Sequence, residues 1–198
     1  MTIESDDSGP LQLNELYRPP AADEAPLPSP APNAPFYVVS RTKFLVLFFA
    51  TFGAYQLYWF FTNWQRYRDR TRTSLYPFWR AVFSPLFTHK LFGIVAQHGK
   101  PPAPRFPAQE MATLYVVFVV GSWVLDRWGG SLLIDVVSTA LGLCTAYPLL
   151  AAQDAANAAS GDPGGSSNSR MSPLNYVFIV LGVVLWPLLV LGLVMPAE

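Results

Sequence analysis

Residue types that carry catalytic chemistry are scarce in this chain. It has one cysteine, Cys144, which excludes an internal disulfide and a cysteine cluster for a metal. The two histidines, His89 and His98, have no HExxH motif, paired carboxylates or serine–histidine–aspartate pattern beside them. A catalytic zinc site usually needs more ligands than two histidines supply. The sequence therefore predicts no metal site, no cofactor and no enzymatic activity.

Charged residues are also few. They make up 13% of the 198 residues, whereas an average soluble domain has about 25%. Thirteen basic and thirteen acidic residues balance to a net charge of zero, so the composition gives no signal for nucleic-acid binding. Hydrophobic residues make up 52% of the chain and aromatic residues 15%. This composition is typical of a membrane protein.

The N-terminal segment lacks the features of a signal peptide, since residues 1–35 contain neither a basic start nor an apolar core. Six of these residues are acidic, Arg18 alone is basic, and eight are prolines. Such a segment cannot bury enough apolar surface to offset the entropy cost of ordering it. We expect a disordered, proline-rich acidic tail over residues 1–35, which acts either as a solvated spacer or as a proline-rich docking peptide.

The rest of the chain, residues 36–198, contains long runs without charge that predict a membrane domain. A helix needs about 20 apolar residues to cross a bilayer. Four segments meet or approach this length, at 44–62, 109–126, 131–152 and 174–195. The predicted fold class is therefore an all-α integral membrane protein with about four transmembrane helices, plus one interfacial or re-entrant amphipathic helix.

That amphipathic helix is predicted at residues 75–96. The segment carries three basic side chains, among them Arg80, which are costly at the centre of a bilayer. On a helix, apolar side chains cover one half, and Arg80, Ser84 and Thr88 line the other. We expect an interfacial helix that is bent at Pro85. A re-entrant hairpin that turns at Ser84–Pro85 is the alternative.

The distribution of basic residues sets the expected orientation. If residues 75–96 do not cross, nine basic residues lie on one side of the four predicted spans and four on the other. The positive-inside rule then puts the arginine-rich loop in the cytoplasm and both termini outside. If residues 75–96 cross, the totals become six and five, and the rule decides nothing.

Four arginines alternate directly after the first predicted span, and a fifth follows in the amphipathic segment. They are Arg66, Arg68, Arg70, Arg72 and Arg80. The tyrosines and tryptophans before them resemble the aromatic belt of a membrane surface. A basic residue there gains about 1 kcal/mol from anionic lipid. Three interpretations are open, namely a topology signal with interface anchoring, binding of anionic lipid headgroups, and contact with a protein partner.

Asp135 is the one formal charge inside the predicted third span. It would act either as a proton or cation site, or as an interface carboxylate that pairs with Arg127 or a nearby loop arginine. Ser138, Gly142 and Ala146 share its helix face. Because small side chains let another helix approach closely, these three residues are predicted packing positions for a membrane-protein partner or a second copy of the chain.

Two strings carry a family resemblance. The first is TFGAYQLYWFFTNWQ at 51–65, where a Thr-Phe-Gly-x-Tyr turn precedes Tyr-Trp-Phe and Asn-Trp, and the second is FWRAVFSPLFTHKLF at 78–92. Both resemble motifs of small multi-pass bacterial inner-membrane proteins of a family of unknown function, and residues 36–195 fall within the resemblance. It implies a bacterial inner membrane as the location and supplies no catalytic residue. QDAANAAS at 153–160 departs from the pattern because it lacks basic residues.

Together these features predict a non-enzymatic integral membrane protein that binds a partner or lipid. Its expected partners are the bilayer, anionic lipid headgroups, and a membrane-protein partner or a second copy, with no nucleic acid. A subunit of a transporter or channel is the alternative, because of Asp135 and of Pro187 inside the last span. An intramembrane enzyme that uses His89, His98 and Asp135 has the least support.

Overall fold

The computed structural model describes residues 34–99, 105–128 and 130–194, and the predicted tail lies almost wholly outside them. Within these ranges the chain is all-helical, as predicted. The helices are α1 (Arg41–Ala50), α2 (Tyr55–Thr71), α3 (Pro77–Val82), α4 (Ser84–Gln97), α5 (Ala108–Arg127), α6 (Leu132–Cys144), α7 (Ala146–Ala159) and α8 (Pro173–Val194). A short 3-10 helix, Ser166–Asn168, lies in the loop before α8.

Three helices of the described residues are long and apolar enough to cross a membrane: α5, the α6–α7 unit over Leu132–Ala159, and α8. The predicted bounds of the second and last spans, 109–126 and 174–195, agree with α5 and α8 to within a residue. The third was predicted to end at residue 152, but α7 continues to Ala159. Its polar residues Gln153 and Asn157 are fully buried in protein contacts, so the helix does not stop where the apolar run stops.

The first predicted span, 44–62, is wrong as a single helix. Residues 51–54 form a turn between α1 and α2, with Phe52 at φ 52° and Gly53 at φ 82°. The backbone N–H of Tyr37 donates to Oδ1 of Asn63 at 3.0 Å, so the two flanks of the segment touch. The segment is apolar because it fills the protein core, where large side chains such as that of Trp59 are fully buried.

The turn at residues 51–54 leaves none of its backbone donors unpaired. Each N–H from residue 51 to residue 57 has an acceptor within α1, the turn or the start of α2. The Thr51 hydroxyl contributes directly, because its Oγ1 accepts from the N–H of Tyr55 at 2.9 Å. Irregular backbone at membrane depth is tolerated where its polar groups are satisfied inside the protein.

Residues 75–96 also form two helices instead of one. The break lies at Phe83, and Pro85 occupies the first turn of α4, where its missing N–H costs no helical hydrogen bond. The predicted bend is therefore found, two residues before Pro85. Ser84 and Thr88 of the predicted polar row are turned inward and buried, whereas the large apolar side chains of α3, those of Phe78, Trp79 and Val82, are exposed.

The turn between α1 and α2 and the break between α3 and α4 both lie beside Tyr115 on α5. The hydroxyl of Tyr115 on α5 donates to Oε1 of Gln56 at 2.9 Å, and it lies 3.0 Å from the hydroxyl of Ser84. On the other side of the first hairpin, the indole N–H of Trp186 on α8 donates to the carbonyl of Phe49 at 2.8 Å. The α1–α2 hairpin is thus held between α5 and α8.

Candidate functional site

Four amide side chains hold the extended segment that precedes α1. They are Asn63, Gln153, Asn157 and Asn168, called the amide cluster below. Asn157 pairs with both backbone groups of Val39, accepting from its N–H at 3.2 Å and donating to its carbonyl at 2.9 Å. The amide thereby supplies the partners that a neighbouring β-strand would supply.

The other three amides bind the residues just before Val39. Asn63 and Gln153 bind the two backbone groups of Tyr37, and Asn168 donates to the carbonyl of Val38 at 2.8 Å. Gln153 also accepts from the indole N–H of Trp59. Sequence reasoning missed this cluster because QDAANAAS looks like the polar end of a span. The usable signal was the spacing of four between Gln153 and Asn157, which puts both amides on one helix face.

Two of the five predicted arginines are engaged within the fold. A terminal guanidinium nitrogen of Arg66 donates to the carbonyl of Phe36 at 3.0 Å. The guanidinium of Arg80 lies over the ring of Trp64 at 4.5 Å and over that of Phe87 at 5.1 Å. Both contacts join the end of α2 to a neighbouring segment, so these arginines already have a structural role.

The remaining arginines lie at the surface. Arg68 pairs with Asp69 at 2.8 Å, and Arg70 and Arg72 are exposed at the end of α2. The exposed apolar face of α3 and the start of α4 follows them after a short loop. Its residues are Phe78, Trp79, Val82, Phe83 and Leu86, and they are between 40% and 76% exposed. The five arginines therefore do not form one cluster. Arg70 and Arg72 are the exposed members of the five, and neither takes part in the Arg68–Asp69 pair.

Asp135 lies half-buried in the first turn of α6, four residues after the N-cap residue Ser131. A carboxylate there is stabilised by the positive end of the helix dipole. Ser138 is buried and donates to the carboxylate of Asp126 at the end of α5. Ala146 is also buried, but a Cβ on Gly142 would meet nothing within 4 Å. A cation site at Asp135 and a helix partner at Gly142 therefore stay predictions.

The two histidines contact different elements. His89 lies 3.1 Å from the hydroxyl of Thr113, and Nδ1 of His98 lies 2.8 Å from the carbonyl of Ile94. Within residues 34–99, 105–128 and 130–194, no group of three histidine, cysteine, aspartate or glutamate side chains could hold a metal ion. The exposed Cys144 is a free thiol.

A cavity of about 520 Å³ lies between α1, the start of α2 and the start of α8. It is called the Lys43 cavity below. Lys43 is 6% exposed, and its ammonium donates to Oδ1 of Asn168 and to the carbonyl of Arg170, both at 2.7 Å. Burial lowers the pKa of Lys43 below its ordinary value. Sequence reasoning counted Lys43 only as a topology charge.

Comparison with protein-family models, with curated proteins and with solved structures finds no match to this chain. The contacts above are therefore the basis for a functional proposal.

Proposed function

We propose that this chain is a non-enzymatic, multi-pass protein of a bacterial inner membrane that binds anionic lipid at one end of its helix bundle. This end, called the basic end below, is formed by residues 36–40, the last two turns of α2 and the loop before α8. The contacts of Arg66 with the carbonyl of Phe36 and of Asn168 with the carbonyl of Val38 join these segments. Three membrane-spanning helices and two re-entrant hairpins make up the proposed membrane domain.

The re-entrant arrangement is supported by where each hairpin begins and ends. The α1–α2 hairpin starts and finishes against Phe36 and Tyr37, and its turn reaches Trp186, thirteen residues into α8. The α3–α4 hairpin turns beside Tyr115 and returns until His98 packs on Phe36 with ring centroids 5.3 Å apart. The paired backbone of residues 51–57 meets the requirement for irregular structure inside a bilayer.

This arrangement changes the expected orientation. Three spans and two re-entrant hairpins put the N-terminal segment and the arginine-rich turn on the same side. Eight basic residues of the described chain fall on the same side of the proposed membrane domain as the basic end: Arg41, Lys43, Arg66, Arg68, Arg70, Arg72, Arg105 and Arg170. On the opposite side, the end of α5 carries Arg127. By the positive-inside rule, the basic end faces the cytoplasm.

One observation carries the lipid-binding proposal, namely that exposed arginines and an exposed aromatic helix are adjacent. Arg70 and Arg72 lie at the end of α2, and Phe78 and Trp79 are 58% and 56% exposed on α3. Large exposed apolar faces are unusual on a surface that meets water. Aromatic rings beside basic side chains suit the boundary between acyl chains and anionic headgroups.

The test is the lipid selectivity of the purified protein in vesicles, measured with spin-labelled phosphatidylglycerol and phosphatidylcholine. We expect a preference for the anionic lipid that falls by at least half in the double variant Arg70→Glu/Arg72→Glu. Arg127→Glu makes the same kind of charge change at the opposite end and should leave the preference intact. Equal selectivity in the wild type and the double variant would remove the proposal.

A subunit of a transporter or channel is the second candidate. The observation that favours it is the meeting of both hairpin turns at Tyr115, since a path through a membrane protein is often built where broken helices meet. Flux of an ion or small solute into vesicles that contain the protein, reduced by Gln56→Leu, would support this candidate. Vesicles without any flux above that of empty vesicles would argue against it.

A further inference from the structure

The ammonium of Lys43 is buried beside neutral groups. Its two hydrogen-bond acceptors are an amide oxygen of Asn168 and a backbone carbonyl, and neither carries a charge. Lys43 takes no part in the ion pairs Arg41–Asp154 and Arg68–Asp69. A lysine has three N–H donors, so one remains for a further acceptor. Because a buried charge is costly unless it is paired, the geometry favours an anion beside Lys43.

The cavity beside Lys43 has both polar and apolar lining. Its polar residues include Asn168, which accepts from the ammonium, together with Ser172 and Asn175, whereas Leu47 and Phe178 are among its apolar residues. Along α1 it extends from Lys43 to Thr51, which is eight residues or about 12 Å of helix. A ligand that fills it would carry a negative charge at one end and hydrocarbon at the other.

The cavity opens towards the apolar surface of the bundle. Three of its lining residues, Tyr58, Leu174 and Phe178, are 51%, 62% and 41% exposed. Leu174 and Phe178 belong to α8, whose exposed side chains are almost all apolar. If α8 crosses the membrane, a ligand enters this cavity from among the lipids and not from water.

We propose that the Lys43 cavity binds one anionic phospholipid, with the phosphate against the ammonium of Lys43 and an acyl chain along Leu47 and Phe178. The phosphate oxygen accepts the remaining N–H of Lys43, and Ser172 and Asn175 supply further hydrogen-bond donors. This inference rests on the proposed membrane function and gives it a single internal site, distinct from the exposed surface at Arg70 and Arg72.

The test uses the full-length protein in a neutral detergent, with lipid binding followed by native mass spectrometry and by thermal unfolding. The ligands are phosphatidylglycerol, phosphatidylcholine and inorganic phosphate. We expect phosphatidylglycerol to bind the wild type at least tenfold more tightly than Lys43→Gln. Lys90→Gln, which changes an exposed lysine on α4, is the matched control and should bind like the wild type.

A second variant separates ligand binding from folding, since Lys43 also holds the loop before α8. Leu174→Trp fills the opening of the cavity and leaves the bonds of Lys43 intact. It should weaken phosphatidylglycerol binding at least tenfold, whereas Leu188→Trp, at another exposed position of α8, should not.

Three results would overturn the inference. The first is that phosphatidylcholine binds as tightly as phosphatidylglycerol. The second is that inorganic phosphate alone raises the thermal unfolding temperature, and does so equally in Leu174→Trp. The third is that phosphatidylglycerol binding is unchanged in both Lys43→Gln and Leu174→Trp. The surface proposal can fail separately, because its own test depends on Arg70 and Arg72 and not on Lys43.

Discussion

The backbone N–H of Tyr37 donates a hydrogen bond to Oδ1 of Asn63 at 3.0 Å, although the chain between them contains nineteen consecutive uncharged residues. A helix across the membrane would hold these two residues about 30 Å apart. Their contact instead returns the chain to the end of the bundle from which it started. The fold, the proposed orientation and the position of the Lys43 cavity all depend on this relationship.

The first prediction concerns the amide cluster. Gln153→Leu removes the acceptor of the Trp59 indole and the donor to the Tyr37 carbonyl. Each buried polar group left unpaired costs about 1–3 kcal/mol, so we expect a loss of ~3 kcal/mol in the free energy of unfolding. Denaturant unfolding in detergent measures it. Gln97→Leu makes the same substitution at an exposed position and should have little effect; equal losses would mean that the cluster does not hold the segment.

Gly165 allows the close approach of the N-terminal segment to the loop before α8. It has φ 62°, and a Cβ at this position would lie 2.3 Å from the carbonyl oxygen of Val39. Left-handed backbone alone costs an alanine about 1–2 kcal/mol, and the clash with backbone adds to this. We expect Gly165→Ala to lower the thermal unfolding temperature clearly. Gly164→Ala, which meets nothing within 4 Å, should leave that temperature unchanged.

Gly182 tests the packing of α1 against α8. A Cβ there would lie 2.4 Å from the carbonyl oxygen of Ala50. Glycine to alanine in an open helix is expected to gain up to about 1 kcal/mol from helix propensity. We therefore expect the two variants to affect the free energy of unfolding differently. Gly192→Ala, with open space around it, should be neutral or stabilising, whereas Gly182→Ala should be destabilising. If both variants unfold at the same temperature in detergent, α1 does not lie against α8.

Low pH should destabilise the loop before α8, because the carboxylate of Asp162 becomes protonated. Burial raises the pKa of this carboxyl, but hydrogen bonds from Ser167 and Ser166 outweigh it, and the net pKa lies below the ordinary value of 3.8. A group with a depressed native pKa stabilises the fold above its ordinary pKa, and this contribution is lost as the pH falls through the native pKa. We expect Asp162→Asn to be less stable at pH 7 and to lose less stability below pH 3.8. Thermal unfolding across this pH range checks it, and a pH profile identical to that of the wild type would contradict it.

Those parts of the fold that depend on the length of apolar runs could be predicted. The runs around 109–126 and 174–195 agree with α5 and α8, and Pro85 indicated a bend, which the structure has as a break at Phe83. The run at 44–62 was wrongly predicted to be one spanning helix, because hydropathy does not distinguish a helix surrounded by lipid from one surrounded by protein. The Thr-Phe-Gly-x-Tyr string at 51–55 was the local signal, since its glycine occupies the left-handed region in the turn.

The site was harder to predict because it depends on contacts between distant residues. Arg66 and Arg80 looked like surface charges, yet one binds the Phe36 carbonyl and the other packs on Trp64. No sequence motif surrounds Lys43. Its ammonium is bound by Asn168, in a loop that lies 125 residues away in sequence. Sequence periodicity describes one element at a time and does not indicate which loop closes over a lysine.

The most direct test of the re-entrant hairpin is the labelling of single cysteines by a membrane-impermeant reagent in intact cells. In a Cys144→Ala background, Ala34→Cys and Thr73→Cys flank the hairpin, and Trp128→Cys lies in the turn at the opposite end. We predict that Ala34→Cys and Thr73→Cys react only after the membrane is permeabilised, whereas Trp128→Cys reacts in intact cells. Labelling of Ala34→Cys and Thr73→Cys from opposite sides would contradict the account, because residues 44–62 would then cross the membrane.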